Sequence, residues 1–332
     1  MRIAHYCEFE DRIKGGISVS VNQQRSMLTH RDIEYVTRPR MDVDIVHLNV
    51  MGPRSIATAY RARRHGIPVI VHTHVTAEDF RDSLLLSNTV SKPLKPYLGY
   101  AYGLGDHLIC PSQYTADIID AYTDTPRSVI SNGVNTEKLE GYESLREEYL
   151  DRFNLTPPVV FMVGHVFKRK GLATFVEAAR ELPTMDFVWF GPIDRHLKDR
   201  STKKLIDRSP DNCRFTGFIE DIRGAYAAGD IFFFPTYEEN EGMTLLEAMA
   251  TEKAILVRDI ETFEWLDDGT HCLKASGDFS RKLERLQDTE LREELGSQAG
   301  ELSNQFELTK IARELEQCYE AVLQGSANDE RS

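Results

Sequence analysis

Nowhere in its 332 residues does the chain hold a run of eighteen apolar residues, and its opening "MRIAHYCEFEDR" lacks the apolar core of a signal peptide. Both absences argue against a membrane span and against export by that route, so the protein is expected in the cytoplasm. Cysteine is scarce: Cys7, Cys110, Cys213, Cys272 and Cys318 are odd in number, scattered and never in a C-x-x-C pair. A disulfide framework and a zinc site are therefore not expected, and reduced core thiols are. The G-x-G-x-x-G fingerprint is missing, which lowers the case for a nicotinamide enzyme. Internal repeats and low-complexity tracts are missing too.

Positive charge is in deficit only in part of the chain. The net charge is −13, yet residues 1–140 carry 16 Lys/Arg against 16 Asp/Glu. The remaining 24 bases and 37 acids account for the whole imbalance. An acidic chain is a poor general binder of nucleic acid, so no nucleic-acid partner is expected. A neutral half with local basic clusters can still lie on an anionic membrane surface.

The 41% apolar content is enough for two cores of ordinary size. Short apolar runs alternate with amphipathic stretches twice over. They fall at 2–6, 43–49, 68–74, 106–112 and 127–133, then at 157–164, 185–191, 213–218, 230–236, 254–259 and 271–276. That alternation predicts α/β architecture with two doubly wound parallel sheets, facing each other across a cleft. We expect one domain over 1–140, a second over 141–310, and a C-terminal helix with a flexible tail over 311–332.

Three stretches carry chemistry. "KGGISVSVNQQRSML" places Lys14, Gly15 and Gly16 at a helix start, where backbone can approach a phosphate; a plain turn is the alternative. "VGHVFKRKGLATFVEAAR" puts Lys168, Arg169 and Lys170 in a loop at the C-terminal end of a buried strand, suited to a diphosphate; a solvated basic loop is the alternative. "FFFPTYEENEGMTLLEAMA" follows a buried strand with Glu239 in a loop and Glu247 in the next helix, eight residues apart. Carboxylates there can accept bonds from sugar and ribose hydroxyls, and the N–H groups of Gly242, Met243 and Thr244 can hold a phosphate. Helix capping by surface acids suits Glu238 or Glu241 better than Glu247, which stands between Leu246 and Ala248.

These motifs resemble those of the family-four glycosyltransferases. "ENEGMTLLEAMA" is similar to their E-x7-E motif, "GHVFKRKG" to their G-R-x-x-x-x-K-G loop, "KGG" to their N-terminal glycine loop, and "ISNGVNTEKL" to their interdomain segment. The order is the family's, and the likeness covers nearly the whole chain. "NVMGPRS", "HTHVTAEDFRDS", "FVWFG" and "IRGAY" further resemble membrane-associated glucosyltransferases that act on diacylglycerol or monoglucosyl-diacylglycerol. The resemblance implies a GT-B fold of two Rossmann-like domains and a retaining transfer of a hexose, glucose, from a UDP-sugar. It assigns Lys170 to the donor diphosphate, Glu247 to the ribose, Glu239 to the transferred sugar, and Gly16 to the phosphates. His74 matches a histidine beside the anomeric carbon, with Glu78 and Asp79 as companions. His165 stands where the family has arginine, so Arg169 or Lys168 would have to help Lys170.

No Asp-x-Asp cluster stands at a strand end near these motifs, so no metal and no cofactor are expected beyond the nucleotide-sugar substrate. Arg61, Arg63, Arg64, Lys92, Lys95 and Tyr97, with the leucines of 84–104, are candidates for a lipid acceptor and for docking on the inner face of the membrane. Core packing is the alternative for that segment. A polysaccharide or oligosaccharide-lipid acceptor, or a non-catalytic sugar-nucleotide-binding protein, stays open beside the glycolipid reading.

Overall fold

The protein is described by a computed structural model over residues 1–13, 15–80, 87–193 and 200–329, without the side chains of 80, 87–92, 200 and 326–329. Within these residues, twelve strands build two sheets of six. The first contains β1 (Arg2–Tyr6), β2 (Glu34–Val36), β3 (Ile45–Leu48), β4 (Val69–His72), β5 (His107–Cys110) and β6 (Arg127–Val129), in the order β2-β1-β3-β4-β5-β6. The second contains β7 (Val159–Val163), β8 (Asp186–Phe190), β9 (Cys213–Gly217), β10 (Ile231–Phe234), β11 (Ala254–Arg258) and β12 (Leu273–Ala275), in the order β12-β11-β10-β7-β8-β9. Every named strand pair is parallel.

Parallel neighbours must be joined by crossovers, and helices supply them, so the central strands are covered on both faces. All residues of β7, β10 and β11 are buried. That accounts for apolar runs without polar alternation. The rings of Phe161 and Phe232 meet edge to face with centroids 5.3 Å apart, as do those of Phe175 and Trp189 at 5.1 Å. Eleven of the twelve strands coincide with apolar runs read from the sequence; β2 does not. It is a three-residue edge strand with Glu34 exposed and Tyr35 and Val36 half-buried, so it has no apolar run to betray it.

The chain divides into two compact units, one of residues 1–80, 89–133 and 306 onward, the other chiefly of 134–305. The helix Leu308–Asp329 belongs to the first. Its Leu308, Ile311, Ala312, Leu315, Cys318 and Tyr319 recur at helical spacing and pack on Ile3, Met27, Ile45, Ile70 and Ile109.

A polar seam crosses the first unit's core. His5, His47 and His72, on β1, β3 and β4, are buried, with the His5 and His47 rings 4.9 Å apart. His47 Nδ1 bonds Tyr319 Oη at 2.7 Å, His5 Nε2 bonds Gln24 Oε1 at 2.8 Å, and Gln24 Nε2 lies 3.2 Å from His72 Nδ1. Burial pushes His5 down to about 4 and holds His47 and His72 well below the ordinary histidine value. The unfolded chain takes up these protons near pH 6.5 while the folded one resists, so stability falls as pH drops below about 6.5. Each of these histidines should cost about 1 kcal/mol by pH 5.5. Hydrogen exchange, corrected for intrinsic rates, should show β1, β3 and β4 losing protection between pH 7.5 and 5.5 while β7, β8 and β10 keep theirs.

In the second unit the loop after β7 lies against the loop after β10 with no room to spare. Gly171 has φ +80°, and a Cβ there would sit 2.2 Å from the carbonyl oxygen of Pro235. Gly141 has φ +70° in open space. Gly141→Ala should therefore cost about 1 kcal/mol for its backbone alone, and Gly171→Ala several-fold more, because backbone must move. Thermal melts of the two variants measure the difference.

Candidate functional site

In each sheet the strand order reverses beside the first strand of the unit, between β7 and β10 in the second sheet and between β1 and β3 in the first. The crevice beyond the C-terminal ends of such strands is the usual ligand position in this architecture. The lysine-rich and glutamate-rich stretches are the two loops that leave β7 and β10.

Three backbone-directed bonds join those loops, and a fourth ties the second loop to β11. Tyr237 N–H donates to Arg169 O at 2.8 Å and Thr236 Oγ1 to the same carbonyl at 3.2 Å. Arg169 Nη1 donates to Glu238 O, and Arg258 Nε donates to Pro235 O at 3.0 Å. The Arg258 guanidinium also lies over the Tyr237 ring, 3.9 Å from its centroid, and Nη2 reaches Thr174 Oγ1 at 2.9 Å. Thr262 Oγ1 donates to Glu239 O at 3.0 Å. The backbone around Glu239 is thus held from three sides.

Glu239 itself is buried, and the contacts on its carboxylate fall on Oε1. Lys170 Nζ donates to it, Thr236 Oγ1 lies at 3.3 Å and Arg169 Nη1 at 3.4 Å. Burial opposes ionisation, but Lys170 and Arg169 outweigh it and hold the carboxyl below its ordinary value. Lys170 also lies over the Phe234 ring, 5.2 Å from the centroid. The two residues assigned to diphosphate and sugar are thus paired with each other. His165 is stacked on Phe167 at 5.3 Å, and Arg169 is the second cation on Glu239.

Glu247 lies in the helix Met243–Ala250, which begins after Gly242 in a left-handed conformation at φ +91°. Gly242 occupies the N-cap position, and Glu241 just before it is buried. The first N–H groups, at Met243 and Thr244, point out along the axis as in any helix start. Glu247 is half-buried, receives the Tyr226 hydroxyl on Oε2 at 2.5 Å, and is pushed up by burial.

In the first unit Gly15, at φ +86°, precedes the helix Gly16–His30, and a Cβ on Gly16 would meet nothing within 4 Å. Lys14 lies outside the described residues. His74 follows β4, stacks on His72 at 4.2 Å, and bonds Asn49 Oδ1 through Nε2 at 2.9 Å. Burial pushes it down to about 3, so it is neutral. Glu78 accepts from Tyr122 Oη at 2.5 Å, and the N–H of Asp79 donates to Thr76 Oγ1. Glu8, absent from our sequence reading, is buried after β1. Its carboxylate accepts from the N–H groups of Arg54 at 3.2 Å and Ser55 at 2.7 Å, closing the start of the helix Pro53–Arg64.

The candidate acceptor residues divide by exposure. Arg61, Arg63, Arg64 and Lys95 are exposed, as are Tyr60, Tyr97 and Tyr100. Tyr60 and Tyr100 share a hydroxyl bond of 2.8 Å, and Tyr97 Oη donates to Met51 O. Leu98 and Leu104 are buried and Leu94 packs beside them, so those leucines of 84–104 belong to the core and not to a lipid-facing surface. Residues 81–86 and the side chain of Lys92 lie outside the described residues. Thr236, Thr262, Arg258, Tyr226 and Asn49 also escaped the sequence reading. Arg258 left a signal as a charge that ends the buried run "AILVR", and Tyr226 and Asn49 stand in the stretches "IRGAY" and "NVMGPRS" without a role of their own there.

Comparison with known proteins agrees with this geometry. The family "Glycosyltransferase Family 4" matches residues 16–138, and "Glycosyl transferases group 1" matches 157–289. A processive diacylglycerol alpha-glucosyltransferase of Acholeplasma laidlawii is 30% identical over 97% of this chain and 99% of its own. An alpha-galactosylglucosyldiacylglycerol synthase of Streptococcus pneumoniae is 26% identical over 70% of this chain and 64% of its own. Among solved structures, sucrose-phosphate synthase of Thermosynechococcus elongatus superposes with a TM-score of 0.79 over 98% of this chain and all of that one, at 16% identity. Anabaena HepE in complex with UDP and glucose gives 0.74 over 96% of this chain and 98% of its own, also at 16% identity. With the two parallel sheets, these structures establish the GT-B fold, and the matches along the sequence establish that the chain belongs to the family-four glycosyltransferases.

Proposed function

We propose that the protein transfers glucose from UDP-glucose to a diacylglycerol-type lipid, including one that already carries a sugar, with retention of anomeric configuration. The observation that carries the reading is the group of Arg169 and Lys170 on the loop after β7, Glu239 on the loop after β10 and Glu247 on the helix that follows it. The full-length likeness to a diacylglycerol glucosyltransferase supports the acceptor.

In this reading the donor binds the unit that contains β7 to β12. The diphosphate accepts from Lys170, Arg169 and the N–H groups at the start of Met243–Ala250. Glu247 Oε1 and Glu239 Oε2, the oxygens that the protein's own bonds leave, accept from ribose and sugar hydroxyls. Lys170 counters the charge that develops on the leaving UDP as the glycosidic bond lengthens, the work a divalent cation performs elsewhere. Among the described residues no group of three or more His, Cys, Asp or Glu is arranged to hold a metal ion. The acceptor hydroxyl attacks from the side the UDP leaves.

The exposed tyrosines and arginines of Pro53–Arg64 and Ser87–Tyr102 suit an anionic membrane surface, with aromatic rings at headgroup depth. Among the described residues no helix is long and apolar enough to cross a membrane, so this reading makes the association peripheral, at the cytoplasmic face.

Lys170→Ala should lower turnover about a hundredfold with EDTA present throughout, as loss of one preorganised charge on a leaving group does. Assay of radiolabelled glucose transfer from UDP-glucose to diacylglycerol measures it, and a strict divalent requirement would overturn the metal-free mechanism. Arg61, Arg64 and Lys95 to Ser together should weaken binding to vesicles of anionic lipid about a hundredfold at low salt, at roughly 1 kcal/mol for each charge. Cosedimentation reads it; unchanged binding moves the membrane contact elsewhere, and transfer to a soluble saccharide in place of lipid overturns the acceptor.

A further inference from the structure

Tyr226, which ends the stretch "IRGAY", has no role assigned to it above yet bears directly on the site. It is fully buried on the short helix Arg223–Ala228, with its ring edge to face against Phe161 at 5.8 Å. The backbone that carries it is well fixed. Arg223 Nη2 bonds Asp221 at 2.7 Å and Nη1 bonds Glu140 O at 3.0 Å, while Tyr149 Oη donates to Asp221 O at 3.1 Å. A Cβ on Gly224 would fall 2.0 Å from the Tyr149 ring, so the helix lies flat on that ring.

In a core this rich in phenylalanine, Phe would fill the same space, and a buried hydroxyl is retained only where it has a partner. Tyr226 Oη has two acceptors within reach, Glu247 Oε2 at 2.5 Å and Thr244 O at 3.3 Å. Its single proton goes to the nearer one. Burial holds the phenol far above its ordinary value, so it is a donor throughout the physiological range. On Glu247 the bond opposes the burial that disfavours ionisation, as does the charge of Lys138.

We infer that Tyr226 is the positioning residue of the ribose site: its hydroxyl fixes one oxygen of Glu247 and so presents the other, Oε1, to the vicinal diol of a nucleoside diphosphate. The inference rests on the assignment of Glu247 to the ribose proposed above. A carboxylate with one oxygen held loses less rotamer freedom on binding, and it accepts from two adjacent hydroxyls in one fixed orientation.

The test is calorimetry with UDP and with 2′,3′-dideoxy-UDP on the wild type, Tyr226→Phe, Glu247→Gln, Glu247→Ala and the Tyr226→Phe/Glu247→Gln pair. Tyr226→Phe should weaken UDP about tenfold, leave the dideoxy nucleotide within twofold of the wild type, and keep the thermal midpoint. On the Glu247→Gln background it should add less than twofold. Unchanged UDP affinity in Tyr226→Phe, with a clear loss in Glu247→Ala, overturns the inference alone. So does an equal loss for both nucleotides, which marks general damage. If Glu247→Ala binds UDP as well as the wild type does, or the wild type binds none, the ribose assignment itself falls and the inference with it.

Discussion

The ion pair of Lys170 with Glu239 ties the two chemistry-bearing loops of the second unit into one object. Each partner would be costly alone: a buried carboxylate or ammonium left unpaired is worth several kcal/mol of destabilisation. Arg169 and Thr236 join the same carboxylate, and Gly171 allows the backbones to close to the distance the pair needs. The pair thus depends on glycine at one position, and the positions of Glu238, Glu239 and Tyr237 depend on the pair and on the bonds to Arg169.

A site built this way differs from a set of charges on solvated loops. Phe234 lies under Lys170, and Arg258 lies between Tyr237 and Phe279 at 3.9 and 4.8 Å, so the cations rest on aromatic faces. Arg258, itself depressed by burial, holds Pro235 and Thr174 without touching either glutamate. Side chains held this way need little reorganisation when charge appears beside them.

What could be read from sequence follows from range. Buried parallel strands are continuous apolar runs, so β7, β10 and β11 were visible, and helix starts at Gly16, Gly171 and Gly242 were visible because glycine marks them. The edge strand β2 has no such run. Leu98 and Tyr97 are neighbours in one segment, and only three-dimensional packing separates a core leucine from an exposed tyrosine. Tyr226 and Glu247 are 21 residues apart, Arg258 and Thr174 are 84 apart, and Glu8 and Ser55 are 47 apart. Pairings of that range leave no periodicity in a single chain. The histidines of β1, β3 and β4 were likewise single letters in separate strands until the sheet stacked them.

Glu8 adds something about competition. The helix that follows β3 starts beside the strand-order reversal of its sheet, a place where free phosphate or sulfate would otherwise collect. Its first N–H groups are instead satisfied by a carboxylate from the same chain, and Gly52 leaves just enough room for it, since a Cβ there would lie 2.6 Å from the carboxyl carbon. An anion tethered by the chain acts at an effective concentration that dissolved anions at millimolar levels cannot rival. Inorganic phosphate would have to displace that carboxylate to bind at the start of that helix.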